Sequence, residues 1–373
     1  MVQAVAVEVP VVASDRLAAA ARVEALAAPP DREKFEDSNV LDQVVTEMSV
    51  SDVCGSDVIG ARMNVDTIDG IARAVFPSMG NTARITIVEG DETLVDHAAR
   101  RLHQLEKSWS RFIGTSDISR LNAASGLPMI VHPDTVRLVR HMVGGWTFTN
   151  GLFDPSMLGE LVEAGYAQSM TSNSITVLPT GIEWSKDLSN IVIDANNISI
   201  PHGMVLDPGG IGKGLAADIV AEELVDLGAS GALVSIGGDI RCIGRGDIEG
   251  QWIVDVESPF DRQPMCSIAI AEGAVATSSL TAKQFASPDG SGDIRTHIID
   301  SRFRRTIDPT SHQIVQASVT AAECVWAEVF TKAYLVLDDP ARIELAAELG
   351  LEAMVVLRDG SRITSQGWKK YQV

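Results

Sequence analysis

A chain of 373 residues with 45% hydrophobic and 21% charged side chains has the material for a packed core, which excludes a disordered or fibrous protein and corresponds to about two domains by length. Acidic residues outnumber basic ones by 50 to 30, a formal charge of −20, so most of the surface disfavours nucleic acid and anionic membranes as partners. No apolar run approaches the ~18 residues of a membrane helix, so membrane insertion is not expected.

Four cysteines, Cys54, Cys242, Cys266 and Cys324, are scattered without a Cys-x-x-Cys pair, which suits a reducing compartment. The first segment lacks a basic n-region and Glu8 interrupts its first apolar run, so no secretory signal is expected and the cytoplasm is the expected location.

Residues 1–75 carry 13 acidic and 6 basic side chains, an Ala-rich helical patch from Leu17 to Ala28 and an acidic segment from Asp31 to Asp42. They read as an N-terminal extension, part helix and part flexible, ahead of a folded domain over 76–373. Ala83 to Val88 reads as a strand. Leu94, Ala98, Leu102, Leu105 and Trp109 follow at spacings of 4, 4, 3 and 4, which is one apolar stripe of a helix. That helix opens into Ser110-Arg111-Phe112. A further helix follows Asp134, with Val136, Val139, Met142, Val143 and Trp146 inward, and Gly151-Leu152-Phe153-Asp154-Pro155 closes it.

The stretch from Val205 to Gly244 is the most informative. It reads as a buried strand, a glycine-rich turn, an amphipathic helix, and a second strand with Gly237-Gly238-Asp239. Leu215, Ile219, Leu224 and Leu227 recur at helical spacing, and Gly228 stands where a C′ glycine ends a helix. Gly209, Gly210 and Gly212 thus lie at a helix N-terminus, where unpaired N–H groups and the positive dipole end collect anions, and Lys213 adds a point charge. A phosphate or diphosphate is the expected ligand; the alternative is a tight turn that needs glycine only for positive φ. A P-loop is excluded, because Asp207 occupies its first glycine position and Gly214 replaces the magnesium-binding hydroxyl.

Beyond this centre, strands are expected at Trp252–Val256 and Ser267–Ile270, a polar turn region at Ala274–Ser279, a long helix from Ala321 to Leu337 and a short one from Ala341 to Leu349. Asp359-Gly360 makes the turn of a closing hairpin between Met354–Leu357 and Arg362–Thr364. The mixture is α+β without a fixed-period repeat.

Taken in order, Met79-Gly80, WSRFIGTSDISRLN, GLFDPS, LDPGGIGKGLAAD, SIGGDI, AVATSS, HIID and SVTAAECVWAEVFTKA resemble the ApbE family of flavin transferases, from Met79 to Arg358. The resemblance implies a single large, T-fold-related α/β domain with mixed or antiparallel sheets. It also implies binding of FAD with Mg²⁺ on the diphosphate, transfer of FMN to a Ser or Thr of an acceptor protein, and release of AMP. By the same resemblance Met79, Phe112, Leu152, Phe153, Asp154, Asp207, Lys213, Thr277, Ser278 and Ile298 line the flavin-nucleotide site.

His297 is the candidate general base, since a reference pKa of ~6.5 suits that task; the alternative is a structural histidine. For Phe153 the alternative is core packing, and Asp239 reads as fixing a tight turn. The family's metal pattern maps onto the carbonyl of Gly210, Glu328 in place of an Asp, and Thr331, with Lys332 standing where the family has its Thr. One helical residue is ~100° of rotation, so Thr331 and Lys332 face different directions. Lys332 would put an ammonium at the metal position, which leaves a second reading: a non-catalytic or FAD-hydrolysing flavin-binding relative. Arg302, Arg304 and Arg305 follow His297 where the family runs straight into Pro-x-Thr-Gly, and read as a solvated loop or a phosphate or acceptor contact.

Overall fold

The computed structural model describes residues 64–373 except 170, 183–186 and 289. The helical patch expected at Leu17–Ala28 and the acidic segment lie outside the described residues.

The frame is one nine-stranded sheet. We number its strands β1 (Asn64–Ile68), β2 (Ile71–Ser78), β3 (Asn81–Val88), β4 (Gly231–Ile236), β5 (Asp239–Gly244), β6 (Gly273–Ser279), β7 (Ile314–Ala321), β8 (Glu352–Leu357) and β9 (Arg362–Thr364). Their order in space is their order in the chain, and every neighbouring pair is antiparallel. All other elements, except the 3₁₀ turn Gln366–Lys370 after β9, are insertions into this meander. Between β3 and β4 lie α1 (Glu92–Trp109), α2 (Asp117–Ala123), α3 (Pro133–Phe148), α4 (Leu158–Glu163) and α5 (Gly212–Asp226); α6 (Cys324–Leu337) joins β7 to β8.

Two stretches pair differently from their sequence reading. β1 and most of β2 fall before residue 76, in the stretch read as extension. In β2 the inward residues Ala72, Ala74, Phe76 and Ser78 alternate with exposed Arg73, Val75 and Pro77, but three of the four inward side chains are alanine or serine, so the alternation is weak in hydrophobicity. Ala274–Ser279, read as a polar turn, is β6, hydrogen-bonded between β5 and β7. Its hydroxyls are polar in sequence yet satisfied in the fold: Thr277 bonds Ser318 Oγ at 2.8 Å and Ser278 bonds Thr331 Oγ1 at 2.8 Å. A strand covered on both faces shows no apolar alternation. The expected short helix at 341–349 is two 3₁₀ turns, Pro340–Arg342 and Ala347–Leu349.

Helices cover one face of the sheet: α1 lies on β2 and β3, α5 on β4 and β5, and α6 on β6 and β7. The stripe of α1 buries Leu94, Ala98, Leu102, Leu105 and Trp109. Helix α5 is buried on nearly all sides through its first ten residues, not on one stripe, because α6 packs on its outer side. Leu227 leaves that core and is exposed, while Gly228 (φ 107°) ends the helix in the left-handed region, as a C′ glycine does. Asp218 of α5 accepts from the first N–H groups of α6, Cys324 and Val325, both at 2.8 Å, so one core helix caps the other. The hairpin Trp252–Glu257/Pro264–Ile270 covers the other face of the sheet centre around Trp252, Ile268 and Trp368. No helix among the described residues is long and apolar enough to cross a membrane.

Candidate active site

A cleft of about 420 Å³ opens where the insertions meet. Its walls are the β2–β3 turn (Met79), the end of α1 (Trp109 to Phe112), the loop after α3 (Leu152 to Asp154), the glycine turn before α5, the β6–β7 insertion (Lys283, His297, Ile298) and Lys332 of α6. Segments more than two hundred residues apart in sequence thus share one concavity.

Met79 and Gly80 form a two-residue hairpin turn with φ of 50° and 66°, the left-handed pair that a tight β-hairpin requires. A methionine at positive φ is strained, and the Asn81 side-chain amide donating to its carbonyl at 3.0 Å helps to hold it there.

The glycine turn works differently from the alternative stated above. Gly209, Gly210, Gly212 and Gly214 all have ordinary φ; at Gly210 and Gly214 it is space that limits a side chain. A Cβ on Gly210 would meet the Phe153 ring at 3.0 Å, and one on Gly214 would meet the Cys324 carbonyl oxygen at 2.6 Å. The N-cap residue Ile211 gives no side-chain cap and the first turn of α5 has no acidic residue; the Glu328 carboxylate of α6 accepts the Gly214 N–H there instead, and Gly209, Gly210, Gly212 and Lys213 of this helix start line the cleft. Beside it, Asp207 accepts the Gly209 N–H at 3.1 Å and lies 3.4 Å from Arg111 Nε. Arg111 is buried, donates to Thr176 Oγ1 at 2.6 Å, and its guanidinium carbon stands 4.2 Å from the Phe112 ring centroid and 4.9 Å from that of Tyr166. Tyr166 in turn stacks on Phe285 at 5.7 Å. This gives the cleft a rigid aromatic and guanidinium wall.

The charges are layered. Lys213 bridges Asp239 and Glu328, the latter at 2.6 Å; Lys332 reaches the same Glu328 Oε1 at 3.2 Å, and Glu328 Oε2 accepts the Gly214 N–H at 2.7 Å. Lys213, Lys283 and Lys332 line the cleft, while Asp239 and Glu328 stand behind them, both fully buried. Burial works against the Glu328 carboxylate, but Lys213 and Lys332 outweigh it and hold the group ionised. Burial also works against the Lys213 ammonium, yet Asp239 and Glu328 raise its pKa. For Lys332 burial wins and lowers the pKa. Lys283 is lowered by burial and then by Lys213 and Lys332.

Of the residues expected at the site, Met79, Phe112, Leu152, Phe153, Asp154, Asp207, Gly210, Lys213, His297 and Ile298 line the cleft. Phe153 is also part of the core. Asp154 is held in its turn by accepting from Ser156 N–H and Oγ at 2.8 and 2.7 Å, and burial raises its pKa. Thr277 and Ser278 are in the sheet, bonded to Ser318 and Thr331 rather than to the cleft. Thr331 faces the sheet too: it is fully buried and donates to the Glu328 carbonyl at 2.7 Å, whereas Lys332, one residue on, faces the cleft.

His297 is half-buried, and its pKa is pushed down to about 3, first by desolvation and then by the Lys283 and Lys332 ammoniums, so the warrant of an unperturbed imidazole does not hold. Its Nδ1 lies 3.4 Å from the Lys283 carbonyl; a carbonyl can only accept, so Nδ1 carries the proton and Nε2 the lone pair.

Asp239, read as a turn residue, begins β5 and holds Lys213. Arg111, Tyr166 and Lys283 were missed. Arg111 stood inside the WSRF run; Tyr166 and Lys283 carry no local pattern and meet the cleft only through the fold. Of the basic run, Arg302 pairs with Asp300 at 2.8 Å and Arg304 with Glu160, so these two anchor the loop.

Mg²⁺ takes about six oxygen ligands in a near-octahedral set. Around Gly210 both oxygens of the Glu328 carboxylate already accept, from two ammoniums and an N–H, and Thr331 points away. Asp239 Oδ1 is buried without a partner but does not line the cleft. Among the described residues no group of three His, Cys, Asp or Glu side chains is placed to hold a metal ion. The residues as arranged do not fit the metal.

Comparison with known proteins agrees with this architecture. Residues 79–355 match the ApbE family profile. The FAD:protein FMN transferase of Vibrio cholerae serotype O1 is 25% identical over 311 residues, 79% of this chain and 88% of the relative. The crystal structure of the ApbE protein from Thermotoga maritima superposes with a TM-score of 0.68 at 20% identity, over 81% of this chain and 99% of that one. The flavin transferase ApbE from Vibrio cholerae gives 0.66 at 22% identity, over 82% and 99%. With a profile match across most of its length and the same fold, the chain belongs to the ApbE family.

Proposed function

We propose that this protein is a FAD:protein FMN transferase, which binds FAD and moves its FMN half to a Ser or Thr hydroxyl of an acceptor protein with release of AMP. The observation that carries the reading is one cleft lined both by a glycine-rich helix start with three lysines and by an Arg111–Phe112–Tyr166 wall. The first suits a diphosphate and the second a flat conjugated ring. In the reaction the acceptor oxygen bonds to the FMN phosphorus, the bond from that phosphorus to the bridging oxygen breaks, and the electron pair leaves with AMP. Such a step needs charge neutralisation and in-line placement more than covalent help. The hydroxyl proton goes to His297 Nε2. That nitrogen is weakly basic in the free protein, and the anionic diphosphate raises its basicity when FAD is bound.

The proposed partners are thus FAD and a flavin-acceptor protein, and the proposed compartment is the cytoplasm, supported by the free thiols Cys242, Cys266 and Cys324. Mass spectrometry of an acceptor protein incubated with FAD and the full chain tests the reading. The expected result is an FMN mass increase on the acceptor with stoichiometric AMP. An unmodified acceptor, with FAD recovered intact across a panel of acceptor proteins, would sink it.

A further inference from the structure

The layering of charge in the cleft has a direct consequence for how a diphosphate is held. The carboxylates of this cluster, Asp239 and Glu328, are fully buried and turned to Lys213 and Lys332, and neither lines the cleft. Lys213, Lys283 and Lys332 do line it, while Arg111 and the carboxylates of Glu106, Asp154 and Asp207 stand elsewhere on its walls. Within this cluster three lysines stand with two carboxylates, next to the first turn of α5. The two carboxylates fix ammonium positions instead of offering oxygens to a cation: each Glu328 oxygen already accepts from Lys213, Lys332 or the Gly214 N–H. Lys332 is held by an i, i+4 contact on its own helix to Glu328 at 3.2 Å, so its side chain is directed before any ligand arrives. A carbon of that side chain lies 3.7 Å from where a Cβ of Gly210 would stand, which puts Lys332 beside the glycine turn itself.

We propose that in this protein the Lys332 ammonium, together with Lys213 and Lys283, takes the place of a divalent cation on the diphosphate, so that FAD binding does not depend on metal. This rests on the flavin reading given above and names how that same site holds its substrate. An ammonium donates hydrogen bonds and neutralises charge, and it needs neither six oxygen ligands nor the expulsion of water from an octahedral shell.

Binding of FAD and of riboflavin, which lacks the phosphates, to the full chain is measured by fluorescence in Mg²⁺ and in EDTA. The expected result for the unaltered protein is the same FAD affinity, within about twofold, in both buffers. Lys332→Gln is expected to lose roughly tenfold or more in FAD affinity in EDTA, with riboflavin affinity unchanged, as removal of one charge-assisted contact predicts. Lys283→Gln, in a loop outside the helical core, is expected to act the same way and guards against a Lys332 variant that does not fold. FAD binding lost in EDTA by the unaltered protein would overturn the proposal and leave the flavin reading standing. So would metal-independent binding that neither variant weakens. No binding of either flavin in any buffer would remove the flavin reading, and the proposal with it.

Discussion

His297 illustrates how one residue's chemistry is set by its neighbours. Its pKa falls to about 3 because desolvation and two ammoniums, Lys283 and Lys332, all oppose the imidazolium. In the unfolded chain the same group titrates near ~6.5. Between these values the unfolded chain binds the extra proton and the folded one does not, so stability rises with pH through that window and is lost as pH falls from about 6.5 toward 3. Urea unfolding of the free protein at a series of pH values should show that slope, at most about 1.4 kcal/mol per pH unit from this group, and His297→Gln should remove this share. An equal slope in the variant would show that His297 is already protonated in the folded protein. That this histidine lies at a site was legible in the HIID run; its depressed basicity was not, because Lys283 and Lys332 come from other segments.

At the scale of elements, the closest approach in the molecule that bears on the site is between α5 and α6. Gly214 lies against the backbone of Cys324 and Val325, where an added Cβ would be 2.6 Å from a carbonyl oxygen and 2.9 Å from a Cα. Backbone cannot yield as a flexible side chain does, and Asp218 ties the same two residues to α5 through their N–H groups. Gly214→Ala is therefore expected to cost about 2–3 kcal/mol, read as a lowered midpoint in thermal or urea unfolding, and to weaken FAD binding by displacing Glu328 from the Gly214 N–H. A variant of unchanged stability would show that the two helices have room to slide. The glycines of this turn were legible as an anion site from their place at a helix start. Their steric reason was not, since it depends on Phe153 and Cys324, both remote in sequence.

At the scale of the whole molecule, the sheet is a meander whose strands keep chain order, and the cleft is built from its insertions. The family match begins at residue 79, but β1 and β2 precede it: β2 pairs with β3 along its full length and β1 pairs with β2. A chain started at residue 79 would leave β3 as an unprotected edge and uncover the buried faces of Ile85 and Ile87, and such edges pair with other chains. It is expected to be recovered mainly as aggregate, compared by size-exclusion chromatography with the full chain. A monodisperse, folded truncation would show that β1 and β2 are dispensable. The net charge of −20 belongs to this scale as well: an anionic ligand approaches against an acidic surface, and the cations that meet it in the cleft are Lys213, Lys283, Lys332 and Arg111.

By itself the sequence determined what is local. The 3.6-residue stripe of α1, the helix end at Gly228, the hairpin at Asp359-Gly360 and the anion-binding character of the turn before Lys213 all follow from residues a few positions apart. Tertiary structure decided what depends on partners distant in the chain. It made strands of the segments 71–78 and 273–279, whose buried residues are largely alanine, serine and other small side chains. It turned Thr331 to the sheet and Lys332 to the cleft, and it set Asp239 beneath Lys213, 26 positions away. A periodic pattern reports which face of an element is buried; it carries no information on which charges meet across that burial, and in this protein those meetings decide whether the cleft presents oxygens or ammoniums to its ligand.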